Sequence, residues 1–412
     1  MSDQELFDRI AKRIDGYEDF AVETERRLTA IPALDPDSGG DGEGKKAALI
    51  LQILGEIGVS DVTVLDCPDE RVSTGVRPNI VARLAGADHS KTLWIMAHMD
   101  VVPVGDLKSW DSDPWVVKVA DGKIYGRGVE DNQQGLVGGL CLARALVEEG
   151  ATPPYDLGLL FVADEETGNS CGIEYLLDNH QIFNKEDIIV VPDGGEPDGS
   201  MIEVAEKGIV WFKITVKGHQ THGSTPDRGV NAHYAASRLI VRLHELYTEY
   251  DLRDEVYDPP ISTFEATKVE AGVPNVNSLP GEHVFYMDCR VMPEYPIDKV
   301  VATVEGMARE VDSDVGTKTT VEVNQRQDAA PPTPVDAPVV GLLQAAVKDV
   351  YGVEARPMGI GGGTVAAFIR RKEFAAAVWS RMDETMHGPN EYCIIENLLG
   401  DAKVLAHVLL IG

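Results

Sequence analysis

The sequence predicts an α/β protein whose main domain is interrupted by a smaller α+β domain, and three observations carry that prediction. Apolar strand-like runs alternate with helical patterns over about the first 200 residues. A stretch reading βαββαβ follows, which is the element order of a ferredoxin-like domain. The α/β pattern then resumes beyond a proline-rich segment. At 412 residues the chain is longer than one core usually supports, so two domains are expected.

Each element has its own justification. The N-terminal MSDQELFDRIAKRID alternates charges with apolar residues at helical spacing and lacks the apolar core of a signal peptide. Strand-like runs span Asn79 to Leu84, Thr92 to Ala97, Leu157 to Ala163 and Ile188 to Val191, with a helix over Gln134 to Glu149. Together they predict a mainly parallel sheet flanked by helices. The second region reads strand (Ile209 to Val216), helix (Asn231 to Tyr247), strand (Thr263 to Val269), strand (His283 to Val291), helix (Ile297 to Glu310) and strand (Thr319 to Asn324). The segment QDAAPPTPVDAP, residues 327 to 338, cannot continue a strand or helix and reads as a linker. Residues 1–204 and 326–412 are therefore expected to form one discontinuous domain, with 205–325 inserted in it.

Composition narrows the possible partners. The 68 acidic and 37 basic residues give a formal net charge of -31, which disfavours nucleic acid and anionic membrane. Acidic excess without long acidic blocks reads as adaptation to high salt, where self-repulsion is screened. The five cysteines, Cys67, Cys141, Cys171, Cys289 and Cys393, are scattered without a CxxC pair and read as inert core thiols. No apolar run approaches membrane-spanning length, so a soluble cytoplasmic protein is expected.

The ionisable residues fall at strand ends. TLWIMAHMD runs into His98 and Asp100, LLFVADEE into Asp164, Glu165 and Glu166, and DIIVVPD into Asp193. Asp131 lies in a glycine-rich loop before a helix, and His387 follows the apolar AAAVW. Ligands of open α/β sheets gather at the carboxyl ends of strands, so these groups can converge. Three consecutive carboxylates beside an apolar run call for a neutralising cation. Histidine with carboxylates and no cysteine suits zinc, cobalt or manganese, and this many oxygens can hold two ions if one carboxylate bridges them. Taken singly, each residue has a plainer reading: His98 as a satisfied core or surface histidine, Asp131 as a turn residue or helix cap, Asp193 as a turn residue, Asp164 as a solvated surface group, Glu165 and Glu166 as surface carboxylates.

AHMDVVPVGD, YGRGVEDNQQG, DEETG, VPDGGEP and HGPNE, in this order, resemble the dinuclear zinc peptidase and deacylase family of acetylornithine deacetylase, succinyl-diaminopimelate desuccinylase and carboxypeptidase G. The inserted domain resembles that family's lid and dimerisation domain, so a homodimer is implied. The resemblance implies two divalent metal ions per chain, zinc first, with Asp131 bridging them. His98 and Asp193 would complete one site, Glu166 and His387 the other. Asp100 would orient His98, and Glu165 would be the general base. His222 in GHQTHGSTP matches the histidine that family members extend into the partner subunit's active site; read alone it is an exposed loop histidine. Asn277, Arg290, Gly363 and Thr364 match positions facing the substrate, Arg290 suiting a carboxylate; its plainer reading is a strand-face salt bridge. A cis peptide between Asp131 and Asn132 is also implied.

Two departures stand out: Gln133 where relatives often carry lysine, and Val365 where many carry an acid. The expected activity is hydrolysis of the amide bond of an N-acyl amino acid, of desuccinylase or deacetylase type. A carboxypeptidase or dipeptidase acting on a short peptide is the alternative, and a metal-binding protein without catalysis is the alternative of another class.

Overall fold

The computed structural model describes residues 2–412, which divide into two compact units. The first comprises residues up to Val204, Thr333–Pro357 and Phe368–Gly412; the second comprises Ala205–Pro332 and Met358–Ala367. The inserted unit therefore runs on to Pro332, beyond the expected 205–325, and takes in a short second piece, Met358–Ala367. That second piece is drawn over by backbone pairing: Lys207 N–H donates to Ile360 O at 3.0 Å, and Gly359 N–H to Val256 O at 2.7 Å.

The central sheet has eight strands in the order Asp61–Pro68, Val76–Leu84, Tyr155–Val162, Asp88–His98, Ile188–Val191, Ala376–Val378, Met201–Glu206 and Arg356–Ile360. The four strands at its centre pair in parallel. The flanking pairs around Asp61–Pro68, Val76–Leu84 and Met201–Glu206 are antiparallel. Strands covered on both faces need apolar residues at every position, which is why Ile188–Val191 is a continuous buried run. The edge strand Asp61–Pro68 is exposed along most of its length, so it shows no apolar run and was not anticipated. The helix Gln133–Glu149 packs on the strand Asp88–His98 and against the C-terminal helix Ile395–Leu410. Its approach needs Gly135, because a Cβ there would lie 2.6 Å from Pro192 O.

In the second unit, four antiparallel strands take the order Thr263–Val269, Glu282–Val291, Gly208–Lys217, Lys318–Gln327. This is the ferredoxin-like arrangement. Val210, Phe212, Ile214 and Val216 alternate into a core shared with helices Ala232–Leu243 and Ile297–Val315. The first of these helices starts where Asn231 Oδ1 caps His233 and Tyr234 N–H.

Two cysteines differ from expectation. Cys67 and Cys171 form a disulfide, whereas Cys141, Cys289 and Cys393 are free and buried. The two are 104 residues apart, so no local spacing signals the pair. Beside it, Asn79 Nδ2 donates to Leu65 O at 3.2 Å and Cys171 O at 2.9 Å, tying the edge strand to the loop after Tyr155–Val162. Among the described residues, no helix is long and apolar enough to cross a membrane.

Candidate metal centre

The parallel strands Asp88–His98 and Tyr155–Val162 pair in register so that His98 sits beside Val162, and the chain turns there into Asp164, Glu165 and Glu166. Asp164 takes a left-handed φ of 60°. It is buried, not solvated, and accepts from Arg77 Nη1 at 2.9 Å, Ser170 Oγ at 2.8 Å and Cys171 N–H at 2.9 Å. Arg77 is wholly buried and also donates to Asp35 at 2.7 Å and to both oxygens of Glu43. One carboxylate of the acidic triplet is thus neutralised from within. Nothing local in the sequence around Arg77 announced this.

The other two carboxylates face a second cluster. His98 Nε2 lies 2.8 Å from Asp131 Oδ1 and 3.6 Å from Asp193 Oδ1. His387 Nε2 lies 3.1 Å from both Asp131 Oδ2 and Glu166 Oε2. Two candidate ligand triads result, His98–Asp131–Asp193 and Asp131–Glu166–His387, and Asp131 turns one oxygen toward each. The Asp131–Asn132 peptide is cis. Asn132 Nδ2 donates to Asp193 Oδ1 at 2.5 Å and Pro192 O at 2.6 Å, a contact that sequence reasoning missed.

Asp100 ties the pieces together. Its Oδ1 is 3.4 Å from His98 Nδ1, and its two oxygens accept the N–H groups of Glu165 and Glu166 at 3.1 and 3.0 Å. Glu165 O accepts from Asn169 Nδ2 at 3.2 Å, so the backbone carrying both glutamates is held on each side. Behind Asp131, Gln133 is buried and accepts from Thr29 Oγ1 at 3.1 Å, so this position is filled by a neutral side chain. Val365 is buried as well.

Charge and burial act strongly here. Burial raises the carboxyls of Glu165, Glu166 and Asp193, with neighbouring carboxylates adding to it for all three. Burial opposes protonation of His98, yet Asp193, Asp100 and Asp131 raise its ring well above the usual histidine range. Hydrogen bonds to Asp131 and Glu166 push His387 up to about 10. Glu166 Oε1 is buried without a hydrogen-bond partner. Imidazole nitrogens, carboxylate oxygens and one orphaned buried oxygen make a donor set that fits divalent zinc, cobalt or manganese.

The remaining residues singled out from the sequence lie in the second unit. His222 is exposed, with Nδ1 2.7 Å from Ser224 Oγ, and its strand residue pairs with Ser278. Asn277 is its neighbour through Gly223 N–H, which donates to Asn277 O at 2.7 Å. Arg290 forks onto Asp288 at 2.7 and 3.0 Å and donates from Nη1 to Gly361 O at 2.7 Å. Thr364 N–H donates to Glu206 at 3.0 Å, and a Cβ on Gly363 would meet Gln327 at 2.6 Å. Arg290 therefore adjoins the glycine-rich loop that carries Gly363 and Thr364.

Comparison with known proteins identifies the family. Residues 94–411 match the family model described as peptidase family M20/M25/M40. An uncharacterized metallohydrolase of Methanococcus maripaludis is 38% identical over 95% of this chain and 99% of its own. A succinyl-diaminopimelate desuccinylase of Cereibacter sphaeroides is 29% identical over 88% and 91% of the two chains. Among solved structures, an aminopeptidase PepT from Bacillus cereus superposes with a TM-score of 0.74 at 19% identity, covering 95% and 98% of the two chains. Human carnosine dipeptidase 1 superposes with a TM-score of 0.71 at 19% identity over 98% of each chain. At such identities the two structures speak to the fold alone. With its paired ligand triads and a family match over most of its length, the chain belongs to peptidase family M20/M25/M40 and is a metal-dependent hydrolase of amide bonds.

Proposed function

We propose that the protein removes the acyl group from an N-acyl amino acid by hydrolysing its amide bond, as a desuccinylase or deacetylase does. The observation that carries this reading is the pair of triads sharing Asp131, with Glu165 beside the ligand Glu166. The desuccinylase names among the curated relatives support the acyl-amino-acid substrate class.

His98, Asp131 and Asp193 would hold one ion, and Asp131, Glu166 and His387 the other; zinc suits them first, cobalt or manganese next. When bound, such ions acidify water and polarise a carbonyl. Glu165 accepts the water's proton and returns it to the leaving nitrogen, a role that suits a carboxyl raised by burial. Asp100 keeps His98 oriented through Nδ1 and holds Glu165 in place through its N–H. In a homodimer, His222 donates to the developing oxyanion of the partner's reaction, the role of the histidine it matches in the family. Asn277 and the 363–364 loop face the substrate, and the N–H groups of Arg290 not taken by Asp288 and Gly361 receive its carboxylate. The net charge of -31 is adaptation to a salty cytoplasm.

Purified protein loaded with zinc or cobalt in high salt is to be assayed against acetylornithine, succinyl-diaminopimelate and a set of dipeptides. Turnover of an N-acyl amino acid in preference to every dipeptide supports the proposal. Preference for a dipeptide replaces it with the peptidase reading.

A further inference from the structure

One buried carboxylate outside the ligand set links the two loops that carry two of the three members of the second triad, Asp131 and His387. Glu391 is 0% exposed and uses each oxygen twice. Oε2 accepts from Arg127 Nη1 at 2.6 Å and Gly128 N–H at 3.0 Å; Oε1 accepts from Glu130 N–H at 3.0 Å and Asp131 N–H at 3.2 Å. Arg127, itself buried, turns Nη2 toward the carbonyls of His387 at 3.4 Å and Gly388 at 3.2 Å. The N–H of Asp131 and the carbonyl of His387 therefore end on the two halves of one ion pair. Glu130 adds a parallel tie, accepting from Asp383 N–H at 2.9 Å and Thr385 Oγ1 at 2.6 Å.

Asp131 and His387 are two of the three members of the second triad, whereas the first triad contains only Asp131. We infer that the Arg127–Glu391 pair is a positioning device that sets the separation of Asp131 and His387, and so tunes the affinity of the second metal position selectively. This rests on the dinuclear reading proposed above. A buried ion pair is poor value as a source of stability alone, because desolvation offsets most of its attraction. Here its hydrogen bonds are spent on the backbone of two ligand-bearing loops.

The test is stepwise metal affinity, not turnover. Glu391→Gln is nearly isosteric, yet whichever way the amide turns, its NH2 group meets two donors, either Arg127 and Gly128 or Glu130 and Asp131. Wild-type and variant proteins are titrated with zinc against a chromophoric chelator. The expected result is a second dissociation constant weakened by about 10- to 100-fold, the usual scale for losing a ligand's supporting hydrogen bonds, with the first within about threefold of wild type. If Glu391→Gln does not fold, Arg127→Lys takes its place: it keeps the charge beside Glu391 but lacks the fork that reaches His387, and the same selective loss is expected. Two ions bound by wild type with both steps unchanged, or equally weakened, in the variant would overturn this inference alone. A wild-type protein that takes up a single ion overturns the dinuclear reading and this inference with it.

Discussion

Two acidic clusters leave the end of the strand Tyr155–Val162, and they are neutralised in different ways. Asp164 turns to Arg77, where Asp35 and Glu43 also meet the guanidinium. Glu165 and Glu166, the next two residues, face His98, Asp131, Asp193 and His387, where the imidazoles of His98 and His387 meet the carboxylates. Removing a carboxylate from water costs several kcal/mol unless a counter-charge and hydrogen bonds replace the solvent. The contrast shows a division of labour within three consecutive residues. The scaffold cluster gathers its carboxylates on a guanidinium of the chain's own, whereas the second cluster gathers imidazoles and carboxylates into a donor set that could hold divalent ions.

The comparison can be broken at either cluster. The largest effect is expected at Glu165: Glu165→Gln should lower turnover by about 100- to 10,000-fold with metal content unchanged, because a base is removed and a ligand is not. Glu166→Gln should instead lower metal occupancy, read by elemental analysis after dialysis. Exchanged phenotypes would reverse the two assignments. Next comes Arg77→Met, which leaves three buried carboxylates without their cation and should cost about 3–5 kcal/mol of stability in denaturant titration. Added zinc should not restore it; restoration would merge the two clusters into one. His222→Ala should lower turnover about 100-fold with little change in metal binding. Mixing that variant with Glu165→Gln protein should recover part of the activity once subunits exchange, and no recovery despite demonstrated exchange would place His222 in its own chain's chemistry or outside it. The smallest effect is global: lowering salt from molar to millimolar should reduce the melting temperature, because the Debye length lengthens and surface repulsion grows. A melting temperature independent of salt would remove the halophilic reading.

Much of the fold was legible because its signals are local. The continuous apolar runs of the parallel strands and the alternation in Val210, Phe212, Ile214 and Val216 follow from which faces are covered. The exposed edge strand Asp61–Pro68 and the three short strands Lys118–Ala120, Lys123–Tyr125 and Tyr392–Ile394 were not legible, since an edge or a three-residue ladder asks for little apolar patterning. In the site, His98, Asp131, Glu166, Asp193 and His387 were named from strand-end position and motif order, and they do converge. Their supports were not named: Asn132 on Asp193, Arg77 on Asp164, Glu391 on the Asp131 backbone.

The sequence by itself determined the residue types that meet, their order along the chain and the periodicities that build a parallel sheet and a ferredoxin-like domain. Each depends on interactions within a few residues or on covering one face. Only the tertiary structure decided that Asp164 belongs to Arg77 while its neighbours face the second cluster, that Cys67 bonds Cys171, and that residues 358–367 join the second unit. The physical reason is common to all three. Counter-charges, thiols and backbone donors pair by distance in space, and their partners lie 87, 104 and more residues away along a chain whose local pattern carries no record of them.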